Sequence, residues 1–129
     1  MFQLTAIYLT SAILGIMLFF SFVVAPVTFT TLNEEDARKF IRKLFPYYYN
    51  VNLGISILVT LIFVFLETFH LDFFLILSVA LLFALSNYVL MPLINNYRDN
   101  NQDKKFKLYH FISVVINFLQ IVLLFIILI

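Results

Sequence analysis

No cysteine occurs in this chain, which excludes a disulfide framework, thiolate-held zinc or iron–sulfur sites, and a cysteine nucleophile. Tryptophan is missing too, and two glycines are too few for a glycine-rich phosphate loop. Charge is scarce: 12% of residues carry it, against about 25% in ordinary soluble domains. So few charges cannot coat a globular surface, and the soluble, disordered and collagen-like classes are set aside together. What the chain has instead is apolar bulk, 64% hydrophobic over 129 residues. A net charge of +1 gives no long-range pull on nucleic acid, and no nucleic-acid partner is expected.

Four stretches free of Asp, Glu, Lys and Arg run at about Leu4–Leu32, Leu44–Leu66, Phe73–Tyr97 and Leu108–Ile129. Crossing a bilayer takes roughly 20 helical residues. Hydrocarbon offers no partner to a backbone N–H or C=O, so each crossing must satisfy its own as a helix. The runs do not alternate apolar with polar residues, as strands of a membrane barrel would. The expected fold is an all-α membrane four-helix bundle, one domain over residues 1–129. The first run follows Met1-Phe2-Gln3, without a basic residue, and exceeds the 7–15 residues of a signal core. It is expected to be a retained helix.

The eight basic residues act as topology markers. Arg38, Lys39, Arg42 and Lys43 lie in the first connection, and Arg98, Lys104, Lys105 and Lys107 in the third. The middle connection, Glu67 to Asp72, has none. The positive-inside rule then puts loops 33–43 and 98–107 in the cytoplasm and both termini outside. Tyr47, Tyr48, Tyr49, Tyr97 and Tyr109 fall where tyrosine favours the membrane interface. Within the first connection, Asn33 is a good N-cap for the acidic turn Glu34-Glu35-Asp36. Ala37, Phe40, Ile41 and Leu44 form one apolar face, so residues 34–43 read as a short interfacial helix on the inner leaflet or a solvated connector. Anionic lipid is a possible contact for its cations.

A shift of 66 residues superposes Pro26 on Pro92, Arg38-Lys39 on Lys104-Lys105, and Phe40 on Phe106. Two related helical hairpins, about a pseudo-twofold axis along the membrane normal, are one reading; shared topology alone is the other. Inside the fourth span, His110, Ser113, Asn117 and Gln120 recur at spacings of 3, 4 and 3, one face of a helix. Polar groups facing lipid are costly, so this stripe should face the bundle or a wet cavity. Tyr47 and Asn50 on the second span complete the candidate intramembrane face, with Asn52, Ser56 and Thr60 as a second polar row. Ser11 with Gly15, and Ala80 with Ala84, are small pairs that permit close helix approach.

Catalysis finds no support in the spans, which hold no carboxylate, and no enzyme activity is expected. A bis-histidine haem needs both rings at one iron. His70 lies in the middle connection and His110 at the opposite end of the bundle, so no cofactor or metal is expected either.

Two segments resemble a known family. Lys43-Leu44-Phe45-Pro46-Tyr47-Tyr48 opens the second span. Phe106-x-x-Tyr109-His110-x-x-Ser113-x-x-x-Asn117 opens the fourth. Both patterns resemble the transmembrane protein 205-like family. The resemblance implies four membrane helices and no established activity. It extends over the four-helix plan and marks Leu44, Phe45, Pro46 and Tyr47, then Phe106, Tyr109, His110, Ser113 and Asn117. The first span here lacks the histidine of eukaryotic members, and the third connection is much shorter. The expectation is a non-enzymatic membrane protein with a structural, assembly or regulatory role; the alternative is a homo-oligomeric transporter or channel component for a small solute or ion. Its partners would be lipids, itself or another membrane protein. Abundant Ile, Phe, Asn, Lys and Tyr and the compact loops point to a bacterial inner membrane.

Overall fold

A computed structural model describes all residues 1–129 and contains four long helices and no strands. They are α1 (Phe2–Thr31), α2 (Glu34–Phe65), α3 (Leu71–Asp99) and α4 (Asp103–Leu128), each long and apolar enough to cross a membrane. The fold is an all-α membrane four-helix bundle. Each helix runs antiparallel to the next, and α4 returns to pack on α1, closing a ring in chain order.

The connections are shorter than the charge pattern implies. Only Leu32-Asn33 and Asn100–Gln102 lie outside helices in the stretches 33–43 and 98–107 and beside them. A separate interfacial helix over 34–43 is not present; those residues form the first turns of α2. The Asn33 side chain accepts from the Asp36 N–H at 2.9 Å, capping the helix. Glu34–Arg38 and Glu35–Lys39 pair along its surface. Pro46 does not stop it, because the proline lies on the exposed face, where the Arg42 carbonyl can turn to water. At 32 residues α2 is about 48 Å long, well beyond a core of roughly 30 Å. Its charged first turns therefore project past the hydrocarbon. Ala37 and Ile41 are buried in the bundle rather than in lipid.

The other two prolines reshape their helices. Pro26 and Pro92 each lack an N–H and crowd the carbonyl four residues back. Both helices widen just before them into one π-helical turn, at Phe20–Val24 and Ser86–Leu90. Ala25 N–H bonds the Phe20 carbonyl, and Met91 N–H bonds the Ser86 carbonyl, each across five residues. The two wide turns are 66 residues apart, the same shift that superposes Pro26 on Pro92. A surplus residue in each turn moves the helix face by about 100° on either side.

Packing divides the bundle in two. The half near both termini is filled by Ile13, Met17, Val59, Ile76, Val79, Phe83 and Leu124, all without exposed surface. Phe2 meets Phe65 at 5.3 Å there, fixing the N-terminus beside the end of α2. Beyond the wide turns, each hairpin stays closed on itself while the two hairpins diverge. Of the two small pairs, Ala80 is buried, but Ser11 and Gly15 face outward and a methyl group at Gly15 would touch nothing. Ser11 and Gly15 are thus not a helix contact within this bundle.

Candidate functional site

The divergence of the hairpins leaves a cavity of about 520 Å³ among all four helices at the basic end. Its floor is aromatic. Phe20 and Tyr48 lie 4.3 Å apart, Phe45 stacks on Tyr49 at 5.5 Å, and both tyrosines rest against Phe83 beneath them. These rings separate the cavity from the closely packed half.

A hydrogen-bonded relay crosses the floor. The Tyr48 hydroxyl of α2 donates to Asn117 Oδ1 of α4 at 3.0 Å. Asn117 Nδ2 donates in turn to Ser21 Oγ, in the wide turn of α1, at 3.1 Å. The related turn of α3 makes the counterpart contact: Asn87 Nδ2 donates to Asn50 Oδ1 of α2 at 2.9 Å, and Tyr88 donates to the same oxygen at 3.3 Å. Ser21 and Asn87 are equivalent under the 66-residue shift. Each wide turn thus sends a polar side chain to the second helix of the other hairpin.

The mouth is charged. Glu34, Arg38, Arg42 and Arg98 line it and also border a wider polar groove outside. Arg42 grips Asp99 through two bonds, at 2.8 and 3.3 Å, and Arg98 reaches Glu34 at 3.5 Å. Arg98 also covers the Phe106 ring at 4.5 Å, and Phe106 stacks in parallel on His110 at 5.8 Å. Cation–π contact of this kind holds a guanidinium in place without neutralising it.

The candidate face read from sequence divides at this floor. His110, Ser113 and Asn117 line the cavity, His110 near its mouth. Gln120, one turn further on, does not; it is fully buried and donates to the Val79 carbonyl at 3.1 Å, tying α4 to α3 in the closely packed half. On α2 the inward line lies one position from the expected one. Tyr47 is 65% exposed and points away from the bundle, while Tyr48 takes the inward place. Asn50 bonds α3 at the bundle edge and is not a cavity wall. The inner row of α2 is Tyr48, Asn52, Ser56 and Val59, because a helix buries positions three and four apart along one line. Asn52 donates back to the Tyr48 carbonyl at 2.8 Å, and its Oδ1 is a buried acceptor without a partner. Ser56 and Thr60 likewise bond carbonyls one turn back, satisfying themselves within the helix.

Ser21 and the three mouth arginines lie outside the candidate face expected from the sequence. A signal for Ser21 existed: the 66-residue shift places it on Asn87. For Arg38 and Arg42 the signal is the expected contact of the 34–43 cations with anionic lipid; Arg98 carries none beyond topology. No group of three His, Cys, Asp or Glu side chains converges anywhere in the fold to hold a metal ion.

Comparison with known proteins gives a family without a chemistry. The sequence model described as Domain of unknown function (DUF4149) matches residues 8–103, from α1 to the first residue of α4. An "Uncharacterized protein" of Aquifex aeolicus (strain VF5) is 34% identical over 114 residues, covering 87% of this chain and 83% of the relative. No solved structure matches the chain.

Proposed function

This chain belongs to the DUF4149 family, and from that premise we propose a non-enzymatic role: its four helices form a one-sided binding vestibule, the ligand-receiving part of a carrier or channel for a small solute. The observation that carries this reading is convergence. Phe45 and Tyr48 of one motif and Phe106, His110, Ser113 and Asn117 of the other, some 60 positions apart, line a single cavity. A volume of about 520 Å³ lies within the roughly 300–1,000 Å³ of small-molecule sites, and a few polar groups among apolar walls are their usual lining. A merely structural polar seam would be closed and dry, as it is around Gln120.

The closed half then acts as the barrier. The paired wide turns lie where open and closed halves meet, and π-turns of this kind recur at functional sites. One bundle of four helices offers little material for alternating access, so a homo-oligomer is part of the proposal. The positive-inside rule orients the mouth toward the cytoplasm and both termini outward. The bacterial relative supports placement in a bacterial cytoplasmic membrane. The likeness to the transmembrane protein 205-like family belongs to the same reading and adds no ligand to it.

Thiol labelling tests the proposal, aided by the lack of native cysteine. In vesicles of known orientation, Ser113→Cys should react with a membrane-impermeant maleimide from the cytoplasmic side only, and Val79→Cys from neither side. An unreactive Ser113→Cys in a protein that still accumulates in the membrane would overturn it.

A further inference from the structure

The walls of the vestibule change character along two directions, and together these specify a ligand class. We propose that it binds a single-chain amphiphile with one anionic head group, a carboxylate or a phosphate monoester, admitted from the membrane between α1 and α4. The proposal rests on the vestibule reading above.

The head group is set by the mouth. Arg38, Arg42 and Arg98 face two carboxylates, Glu34 and Asp99, which leaves one positive charge unmatched. Arg42 is engaged by Asp99 through two bonds, but Arg98 touches Glu34 only at 3.5 Å, so most of its five N–H donors are free for an incoming anion. A guanidinium fork suits the paired oxygens of a carboxylate or phosphate. The tail is set by Phe29, Ile41, Met91 and Ile94, whose apolar walls a small hydrated anion would leave wet. The cavity is of drug-ligand size, which suits one chain and not two.

The route comes from an asymmetry. Two hairpins that splay apart leave two lateral gaps. The gap between α2 and α3 is bridged by Asn87 and Tyr88 to Asn50, and by Arg42 to Asp99. The gap between α1 and α4 is crossed by the deep Asn117–Ser21 bond, since the close packing of α1 on α4 runs through Phe2–Phe19. Phe29 and Val114 line the cavity there yet remain 57% and 50% exposed, so this wall of the cavity is also open to the outside of the bundle.

With no native tryptophan, Phe45→Trp is a clean fluorescent reporter in phosphatidylcholine nanodiscs. The probes are brominated stearate, brominated lysophosphatidate and a brominated monoacylglycerol, all single-chain and differing in head-group charge. Saturable quenching is expected from the two acids at concentrations about tenfold below the neutral lipid, the worth of one charged hydrogen bond. The tighter acid identifies the head group. Arg38→Gln with Arg98→Gln should abolish that preference, and the paired Lys variants should keep part of it. Phe118→Trp, 67% exposed, should show unsaturable quenching equal for all three. Val114→Phe should slow the onset severalfold, and an unchanged onset would refute access between α1 and α4. Equal quenching by acids and neutral lipid, or full competition by inorganic phosphate alone, would overturn the proposal. If Ser113→Cys still labels in that case, the vestibule survives and only the amphiphile fails; if it does not label, both fall.

Discussion

Replacing Asn117 with leucine separates a wet relay from a structural one. The side chain makes two interhelical bonds, accepting from Tyr48 at 3.0 Å and donating to Ser21 at 3.1 Å. Such bonds in membrane bundles average about 0.6 kcal/mol each, because the separated helices also find partners. Two of them give about 1.2 kcal/mol, or about an eightfold change in the folding equilibrium. No further penalty is due, since the stranded Tyr48 hydroxyl and Ser21 Oγ border the cavity and can take water. Steric trapping or reversible denaturation in micelles measures this, with Tyr48→Phe as partner in a double-mutant cycle. A coupling of about 0.6 kcal/mol is expected between positions 48 and 117. A loss above about 3 kcal/mol would mean a dry site with an orphaned hydroxyl, and would refute the reasoning. Zero coupling would mean that the bond is not made.

Glu67 closes α2 at φ 53°, a left-handed backbone that glutamate adopts at a cost of about 1 kcal/mol; Glu67→Gly should raise stability by about that much in thermal unfolding, and a loss would contradict the turn. Gly15→Ala has open space and should stabilise α1 by up to about 1 kcal/mol; if it instead dissociates an oligomer on size-exclusion chromatography, the Ser11–Gly15 face is a contact between copies. Neutralising the exposed Arg42–Asp99 pair with Arg42→Gln should cost less than about 1 kcal/mol and vanish in high salt; a salt-independent loss would show that the pair is shielded. Asn52→Leu removes a buried acceptor that has no partner and should leave stability unchanged or raise it; a loss above about 2 kcal/mol would show that Oδ1 is bonded.

The architecture was legible because it follows from solvent. Runs without charge, long enough to cross hydrocarbon, leave a helix as the only backbone solution, and the 66-residue shift already held the relation between the wide turns. The site was legible only along α4, where four polar residues stand out against an otherwise apolar helix. On α2 polar residues occur at positions 47 to 50 and again at 52, so periodicity alone did not decide which line faces inward. Tyr48 and Tyr49 both turn inward against Phe83, and Tyr48 alone of the tyrosines also meets Phe20. Residues 34–43 looked like a separate element because their charge suggests an interface, whereas a good cap and an outward-facing proline let α2 run straight through. The split between Asn117 and Gln120 depends on where the hairpins diverge, a three-dimensional property that a spacing of three does not carry.

In the proposed vestibule, water reaches into one half of this bundle and stops at the aromatic floor. Spin labels placed singly along α4 at His110, Ser113, Asn117, Gln120 and Leu124 can be probed by power saturation with a water-soluble nickel chelate and with oxygen. Strong nickel collision is expected at 110 and 113, a sharp fall across 117, and none at 120 or 124. Uniform exclusion of nickel from position 113 onward, with the protein folded in bilayers, would contradict it.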